Sequence, residues 1–431
     1  MQTNWQKFYT LFIVQFLGAF NDNLFKNALV LLITYKGVRL FGMDSATLVA
    51  FSAGIFILPF FLFSSYSGVL ADRYQKVQIA KLVKMAEVII MILALFGFLL
   101  EWFSLLLLCL FLMGVHSTFF GPIKYSLIPH YVDENNLMKA NVWVSTGTFV
   151  AILFGTILGG TLASLDSIWF LVIALFFVAL LGLKASFQLE PVEVQDRDLG
   201  LGESHWSLTK KVLKLTMKER DIFSYIMGIS WFWLLGSAVL TLIPMLAKVI
   251  FSAKEEVATL FLSVFVLGMG VGPFVLEKIS KGKVLIWFIP VSLLSISFFI
   301  FDLAYLSNKM IKKTFIYNDP IFGLKDFLMM DGGIRTLVDL FFISCFGGMF
   351  TVPQFTMIQK MAEPQALSRL IAGNNIWNAI FMVSISVFLM LLFSMGMHLS
   401  WILGIVGGLN LLMSLALSYV HREEFNRFWK F

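Results

Sequence analysis

The sequence contains twelve apolar segments, each long enough to cross a lipid bilayer as an α-helix, which needs about 20 mostly apolar residues. The first six lie at about 8–35, 46–71, 77–100, 102–127, 137–164 and 167–189, and the second six at about 221–250, 256–277, 283–305, 334–358, 366–396 and 398–420. The stretch between the two sets is charged. This pattern predicts an all-α membrane protein with twelve transmembrane helices. It comprises a six-helix bundle at 1–189, a linker at 190–220 and a second six-helix bundle at 221–431.

The composition supports this class. Hydrophobic residues make up 59% of the chain and charged residues 13%, whereas soluble domains carry roughly 25% charged residues. The net charge of +6 comes from Lys and Arg that lie mainly between the apolar segments. Such basic loops indicate membrane topology, so nucleic acid is not expected as a partner.

The distribution of basic residues predicts the orientation. Most of the 32 Lys and Arg residues lie at the termini or in loops on the same side as the termini. Loops rich in Lys and Arg stay in the cytoplasm, so we expect the linker and both termini to be cytoplasmic. The exception is a long basic loop at about 306–333, predicted to be a periplasmic insertion. Its middle, IFGLKDFLMM, could lie on the membrane surface or be an insertion without a role.

The first apolar segment has a polar middle, with Asn21, Asp22, Asn23, Lys26 and Asn27 inside a helix of spanning length. Polar and ionisable groups at this depth are costly and normally face a bundle interior or a wet cavity. Asp22 lies one turn before Lys26, the favourable order for an ion pair within a helix. The cluster is either a structural ion pair that fixes this helix to a neighbour or a substrate pathway, and we favour the pathway.

Two further ionisable groups lie in the first half. Pro122 in FFGPIKYSLIP is expected to kink or break the fourth helix, and Lys124 follows it. Lys124 could extend to the cytoplasmic interface, approach Asp22, or bind an anionic phosphate. Glu87 could be a proton-linked carboxylate, although pairing with Lys84 is the favoured interpretation.

Asparagines near the start of the fifth and eleventh segments predict helix–helix contacts. Asn141 lies in LMKANVWVSTG, and Asn374, Asn375 and Asn378 lie in IAGNNIWNAI. An amide that faces lipid is unfavourable, so we expect these side chains to face other helices.

The loop GVLADRYQKVQIAK, which begins at Gly68, resembles the signature loop of the major facilitator superfamily. Gly68 would allow close helix approach, and Asp72 could cap the next turn or pair with a basic residue across the bundle. We predict that Gly68, Asp72 and Arg73 form a gate that holds one end state of alternating access. Basic topology alone is the other explanation of this loop.

Several motifs together resemble the bacterial lysophospholipid transporters of the major facilitator superfamily. They are FLGAFNDNLFKNAL, FGPIKYSLIP, LMKANVWVSTGTFVAILFGTILGG, SWFW, VPQFTMIQ and AGNNIW. The same module also occurs at the N-terminus of acyl-acyl-carrier-protein synthetase/acyltransferase fusions. The resemblance implies inward movement of lysophosphatidylethanolamine and lysophosphatidylglycerol across the bacterial inner membrane by two rocking bundles. Re-acylation by a cytoplasmic acyltransferase or acyl-acyl-carrier-protein synthetase, a possible partner, would follow.

The resemblance also assigns site residues. Asp22, Lys124 and Asn141 match the family's polar positions. Together with Asn23 and Lys26, we expect them to form a polar niche for the headgroup of the lipid. The tryptophans of SWFW, Trp231 and Trp233, could form an apolar wall for the acyl tail or simply pack in the core. The family pattern leads us to expect a basic residue shortly after SWFW, and residues 236–246 contain none.

Two other functions remain open. One is proton-coupled export of a small amphiphile or siderophore-like compound; it needs a buried carboxylate free to titrate, and Asp22 beside Lys26 is expected to be paired. The other is a non-transporting membrane subunit that presents lipid to an acyltransferase. The five histidines show no metal-ligand spacing, and the chain has no phosphate-binding loop motif. We therefore expect neither an enzyme nor a cofactor.

Overall fold

A computed structural model describes residues 3–165, 167–194, 196, 204–314, 322–420 and 422, and these residues form fourteen α-helices. The helices are α1 Trp5–Tyr35, α2 Ser45–Arg73, α3 Lys76–Leu99, α4 Phe103–Tyr131, α5 Leu137–Ala163, α6 Trp169–Ser186, α7 His205–Thr216, α8 Arg220–Met245, α9 Glu255–Ser280, α10 Phe288–Thr314, α11 Leu324–Met329, α12 Gly333–Met361, α13 Leu367–Ser394 and α14 Leu399–Val420.

Eleven helices in the described part of the chain are long and apolar enough to cross a membrane, namely α2 to α6, α8 to α10 and α12 to α14. Helix α1 is the twelfth helix of spanning length. Its 31 residues would extend about 46 Å, against about 30 Å for the hydrocarbon core. Its polar middle keeps it below the hydropathy of the other eleven. The protein is a multi-pass membrane protein.

The structure differs from the sequence-based prediction at three places. Helix α4 continues through Pro122 and Pro129 to Tyr131, so Pro122 does not break the helix. The stretch 190–220 includes the helix α7, whereas residues 195 and 197–203 of this predicted linker lie outside the described residues. Helix α10 extends into the region predicted as the 306–333 insertion, of which 315–321 lie outside the described residues.

The described end of that insertion is attached to the protein. Phe327 in α11 is fully buried, and its ring makes edge contacts with Phe251 and Phe261 at centroid distances of 5.2 Å each. The backbone N–H of Leu324 donates to Glu256 at 2.8 Å. Aromatic contacts and a charge-assisted hydrogen bond thus hold α11 against the start of α9, which a segment resting only on the membrane surface would not require.

The chain divides into two compact units. Unit 1 comprises Met1–Phe223 and Ile358–Ala379, and unit 2 comprises Ser224–Met357 and Ile380–Phe431. The end of α12 and the start of α13 thus belong to unit 1, although they lie in the second half of the sequence. The division into bundles at 1–189 and 221–431 stays a prediction.

In unit 1, α1 packs most extensively against α5, because glycines of α5 let the two backbones approach closely. A Cβ at Gly155 would lie 2.5 Å from the carbonyl oxygen of Phe20, and Gly159 meets the backbone of Leu24 in the same way. Small residues at this spacing are typical of membrane helix pairs. The GTILGG stretch of the sequence therefore positions the polar middle of α1 within unit 1.

In unit 2, α10 packs against α14 around a buried asparagine. Asn410 donates to the carbonyl of Leu293 at 2.8 Å and lies 2.9 Å from the hydroxyl of Ser297. Ser414 donates to the carbonyl of Pro290 at 2.8 Å. These interhelical hydrogen bonds fix the register of the pair.

Candidate functional site

Asp22 lies in the polar middle of α1, with 9% of its surface exposed. Ser117 of α4 donates to Asp22 Oδ2 at 2.5 Å, whereas Asp22 Oδ1 is buried without a hydrogen-bond donor. No ion pair joins Asp22 to Lys26; the ammonium of Lys26 instead lies 5.4 Å from the centre of the Phe56 ring. The predicted Asp22–Lys26 pair is therefore wrong, because α4 supplies the partner of the carboxylate and α2 supplies that of the ammonium.

Lys124 also lies without an ion pair among the described residues. Its ammonium is 5.0 Å from the centre of the neighbouring Tyr125 ring, and its side chain is half-buried, as is that of Lys26. Both ammonium groups are close enough to Asp22 to interact with it electrostatically. Asp22, Lys26 and Lys124, here called the α1–α4 polar site, therefore combine two cations with one half-satisfied carboxylate. A site with this balance can accept an anion.

The remaining amides of α1 are engaged in the helix and its packing. Asn23 donates to the carbonyl of Ala19 on its own helix at 2.8 Å. Asn27 donates to the carbonyl of Thr156 on α5 at 2.7 Å. The Asn23 amide N–H thus bonds within α1, and the role of Asn23 in headgroup binding stays a prediction.

A second charged cluster is fully buried beside this site. Glu87 of α3 receives a hydrogen bond from Asn21 at 2.9 Å and one from Lys84 at 2.7 Å, and its carboxylate lies 3.1 Å from His116 Nε2. Glu87 and Lys84 are at most 1% exposed. Gly18 makes room for the cluster, since a Cβ there would lie 2.6 Å from the Lys84 ammonium. The predicted Lys84–Glu87 pair is confirmed.

Asn141 is part of a chain of amides that joins α4, α5 and the end of α12 that belongs to unit 1. It donates to the carbonyl of Leu137 at 3.0 Å and to Gln359 Oε1 on α12 at 2.5 Å. Gln359 in turn donates to the carbonyl of Tyr125 on α4 at 2.9 Å. Asn141 therefore faces other helices, as predicted, and its role in headgroup binding stays a prediction.

The signature loop docks against the first turn of α13. Asp72 is fully buried and accepts hydrogen bonds from the backbone N–H of Ser368 at 3.3 Å, the backbone N–H of Arg369 at 3.2 Å and the Arg369 Nε at 3.0 Å. A Cβ on Gly68 would lie 2.5 Å from that of Ala372. The carboxylate thus caps the start of a distant helix, where negative charge is favourable.

Arg73 has a different environment from the other two predicted gate residues. Its guanidinium lies 5.5 Å from the centre of the adjacent Tyr74 ring. The basic partner of Asp72 on a distant helix is Arg369, which is not among the predicted gate residues. The sequence does show Arg369 and Gln359 as polar residues at the edges of apolar segments. Their partners lie more than two hundred residues away, so the sequence could not pair them.

The two tryptophans of SWFW do not share a surface. The indole N–H of Trp231 donates to Asn410 at 2.9 Å, whereas Trp233 exposes 39% of its surface. Residues two apart in a helix point about 200° apart, so the two indoles lie on different faces of α8, and their role in a wall for the acyl tail stays a prediction. A small apolar crevice of about 20 Å³ does lie within unit 2, and its lining includes Phe232, Phe265 and Phe350.

Comparison with known proteins relates the chain to membrane transporters in both sequence and fold. Residues 11–317 match the sequence profile of the Major Facilitator Superfamily. The lysophospholipid transporter LplT of Photorhabdus laumondii is 27% identical over 222 residues, covering 49% of this chain and 52% of that protein. LplT of Escherichia coli O1:K1 is 26% identical over 174 residues, covering 39% of this chain and 38% of that protein. The chain thus matches about half, or less, of the length of these relatives.

Solved structures share the fold over almost the whole chain. A bacterial homologue of the iron transporter ferroportin, in an outward-facing state, superposes with a TM-score of 0.70 at 15% identity, covering 96% of this chain and 99% of that one. The human organic anion transporter MFSD10 gives 0.70 at 13% identity, covering 95% and 99%. At such identities the likeness shows the fold alone, and it confirms the predicted all-α transporter fold.

Proposed function

The chain belongs to the major facilitator superfamily, and from this premise we propose that it moves lysophospholipids inward across a bacterial inner membrane by alternating access. It is a transporter and not an enzyme. The similarity to the LplT proteins and the α1–α4 polar site support this substrate class. The observation that carries the proposal is the excess of positive charge in that site, next to a buried cluster in which Lys84 and Glu87 balance each other.

The chemistry of the site suits a one-chain phospholipid. Among the described residues, the ammonium groups of Lys26 and Lys124 have no hydrogen-bond acceptor and each lies over an aromatic ring, so they retain donors for a phosphate. Asp22 Oδ1 faces no donor, and it could accept from the ethanolamine ammonium or the glycerol hydroxyls of a headgroup. Two cations and one acceptor thus complement both a zwitterionic and an anionic headgroup.

Orientation, gating and partner are further parts of the proposal. The basic loops support cytoplasmic termini. Gly68 and Asp72, with Arg369 as the basic partner, would hold one end state of the transport cycle, and their contact would break in the other. Arg73 remains part of the proposed gate. An acyltransferase that consumes the delivered lipid is the proposed cytoplasmic partner.

The test is movement of labelled lysophosphatidylethanolamine in proteoliposomes that contain the full chain. We expect Lys124→Gln and Asp22→Asn each to slow movement about tenfold, since each loses a charge-assisted contact of about 1.5 kcal/mol. Lys139→Gln is the matched control, because Lys139 also lies over an aromatic ring, Trp5, at 5.1 Å but outside the polar site. It should move lipid at the wild-type rate. Folded wild-type protein that moves no lysophospholipid would refute the proposal.

Proton-coupled export is the second candidate, because Asp22 is not paired with Lys26 and keeps a buried oxygen without a donor. That observation removes the argument that Asp22 is too well paired to titrate. Transport of a soluble amphiphile that is driven by a proton gradient and abolished in Asp22→Asn, without lysophospholipid movement, would favour this candidate.

A further inference from the structure

Unit 2 contains a group of charged residues that the proposed function does not use. Asp302 lies on α10, and Arg335 and Asp339 lie on α12. Arg335 donates to both oxygens of Asp302, with Nε at 2.7 Å from Oδ2 and Nη2 on Oδ1. This two-pronged geometry is the strong form of a guanidinium–carboxylate contact. Arg335 therefore directs its hydrogen bonds to Asp302.

Asp339 is the unusual member of the group. It is 2% exposed, and its Oδ2 is buried without a hydrogen-bond donor. It lies one turn after Arg335 on α12, which places its carboxyl group beside that of Asp302, with which it interacts. A carboxylate has no proton to donate, so two ionised carboxylates in this position can only repel each other.

The surroundings do not supply a second cation. Among the described residues, the charged groups that act on Asp302 and Asp339 are each other and Arg335. In the described part of the chain, Tyr305 of α10 is the one further titratable group that acts on Arg335, and its ring lies 5.9 Å from the guanidinium carbon. Two carboxylates against one guanidinium leave one negative charge in excess. Burial makes an excess charge costly.

One proton would remedy both the missing hydrogen-bond donor and the excess negative charge. Placed between the carboxyl groups of Asp302 and Asp339, it provides the missing donor and makes the cluster neutral. Two adjacent carboxyls that hold one proton between them are a known arrangement in proteins. The side chains also become less exposed along the cluster, from 48% for Arg335 and 23% for Asp302 to the buried Asp339. A proton can therefore reach Asp339 by way of Asp302.

We propose that Asp302 and Asp339 form a proton-binding site in unit 2, with one proton shared by the two carboxyl groups and Arg335 balancing the remaining charge. The site lies toward the ends of α10 and α12 that adjoin the 306–333 loop. Release of the proton leaves Arg335 facing two carboxylates, which favours a different arrangement of α10 and α12. If the proposed function holds, this proton accompanies lipid movement and makes its rate depend on the pH on the side of that loop.

The first experiment observes the proton directly and does not depend on the substrate. Infrared difference spectra between low and high pH are recorded on the full chain in lipid. We expect the carbonyl band of a protonated carboxylic acid, shifted in heavy water and lost in both Asp339→Asn and Asp302→Asn. Asp331→Asn is the matched control, because Asp331 is an exposed acid of the same unit paired with Lys309 at 3.3 Å, and it should retain the band. A band that persists unchanged in folded Asp339→Asn overturns the site, and so does its absence from the wild type.

The second experiment separates the site from the proposed function. Lysophospholipid movement is measured while the pH is varied on each side of the liposome. We expect the wild-type rate to change with pH on one side and the Asp339→Asn rate to be independent of pH. A band without any lipid movement keeps the proton site and rejects the lipid proposal, whereas lipid movement without the band does the reverse. Equal pH dependence in both proteins rejects the coupling.

Discussion

Glu87 in unit 1 and Asp339 in unit 2 are both buried carboxylates within membrane-spanning helices, and their surroundings are opposite. Asn21, Lys84 and His116 surround the carboxylate of Glu87 at 2.7 to 3.1 Å. Asp339 meets another carboxylate, and one of its oxygens has no donor. Burial alone therefore does not indicate what a charged residue does in this protein.

The difference separates two uses of a buried charge. A buried carboxylate surrounded by donors and a cation is compensated. Removing it leaves the cation buried without a counter-charge, which strongly destabilises the fold. A buried carboxylate without a donor is not stabilised by its surroundings, so neutralising it breaks no contact. Its free oxygen can also bind a proton. Mutations that neutralise each carboxylate should consequently affect stability in very different ways.

The largest effect is expected for Glu87→Gln. The substitution keeps the shape of the side chain but leaves the buried ammonium of Lys84 without a counter-charge, which should lower the free energy of unfolding by about 3–5 kcal/mol. The measurement is denaturant unfolding in detergent. Glu190→Gln is the control, because its pair with Lys7 is largely exposed and contributes about 0–1 kcal/mol. Equal losses in the two variants would contradict the comparison.

An intermediate effect is expected for Asp72→Asn, a second satisfied carboxylate of unit 1. The amide cannot match the charge of Arg369 or of the buried Lys76, whose ammonium is 3.7 Å away, and it can accept through only one oxygen. Lys76 keeps its hydrogen bond to the carbonyl of Ala71 at 2.9 Å, which limits the loss. The free energy of unfolding should fall by about 1.5–3 kcal/mol, the range for hydrogen bonds to charged groups. Asp44→Asn serves as control, because Asp44 caps α2 through the N–H of Thr47 at 2.9 Å and asparagine caps equally well. A loss in Asp44→Asn as large as that in Asp72→Asn would argue against a specific contribution of the Arg369 contact.

The smallest effect on stability is expected for Asp339→Asn. Its amide can donate to Asp302 where the shared proton did, so the free energy of unfolding should change by no more than about 0.5 kcal/mol. The same unfolding assay is used, with Asp331→Asn as the exposed reference. A loss as large as that of Glu87→Gln would show that Asp339 is a compensated structural charge and would remove the contrast between the two units.

The sequence already indicated much of the architecture and part of the site. Hydropathy marked the spanning segments, because a helix in lipid must be apolar over about 20 residues whatever its neighbours. The Lys84–Glu87 pair could be predicted because residues three apart face each other on one helix. The same logic failed for Asp22 and Lys26, since partners on α4 and α2 were available to each.

Tertiary structure alone decided which polar groups on different helices meet. Asp72 meets Arg369 and Asp302 meets Asp339 on helices far apart in sequence. Helical periodicity defines the face on which a side chain lies, but not the neighbour that this face meets or the height at which the helices pack. Those are set by close backbone approach at glycines such as Gly68 and Gly155. The sequence by itself therefore determined that buried charges exist in this protein, and helix packing decided which of them are compensated.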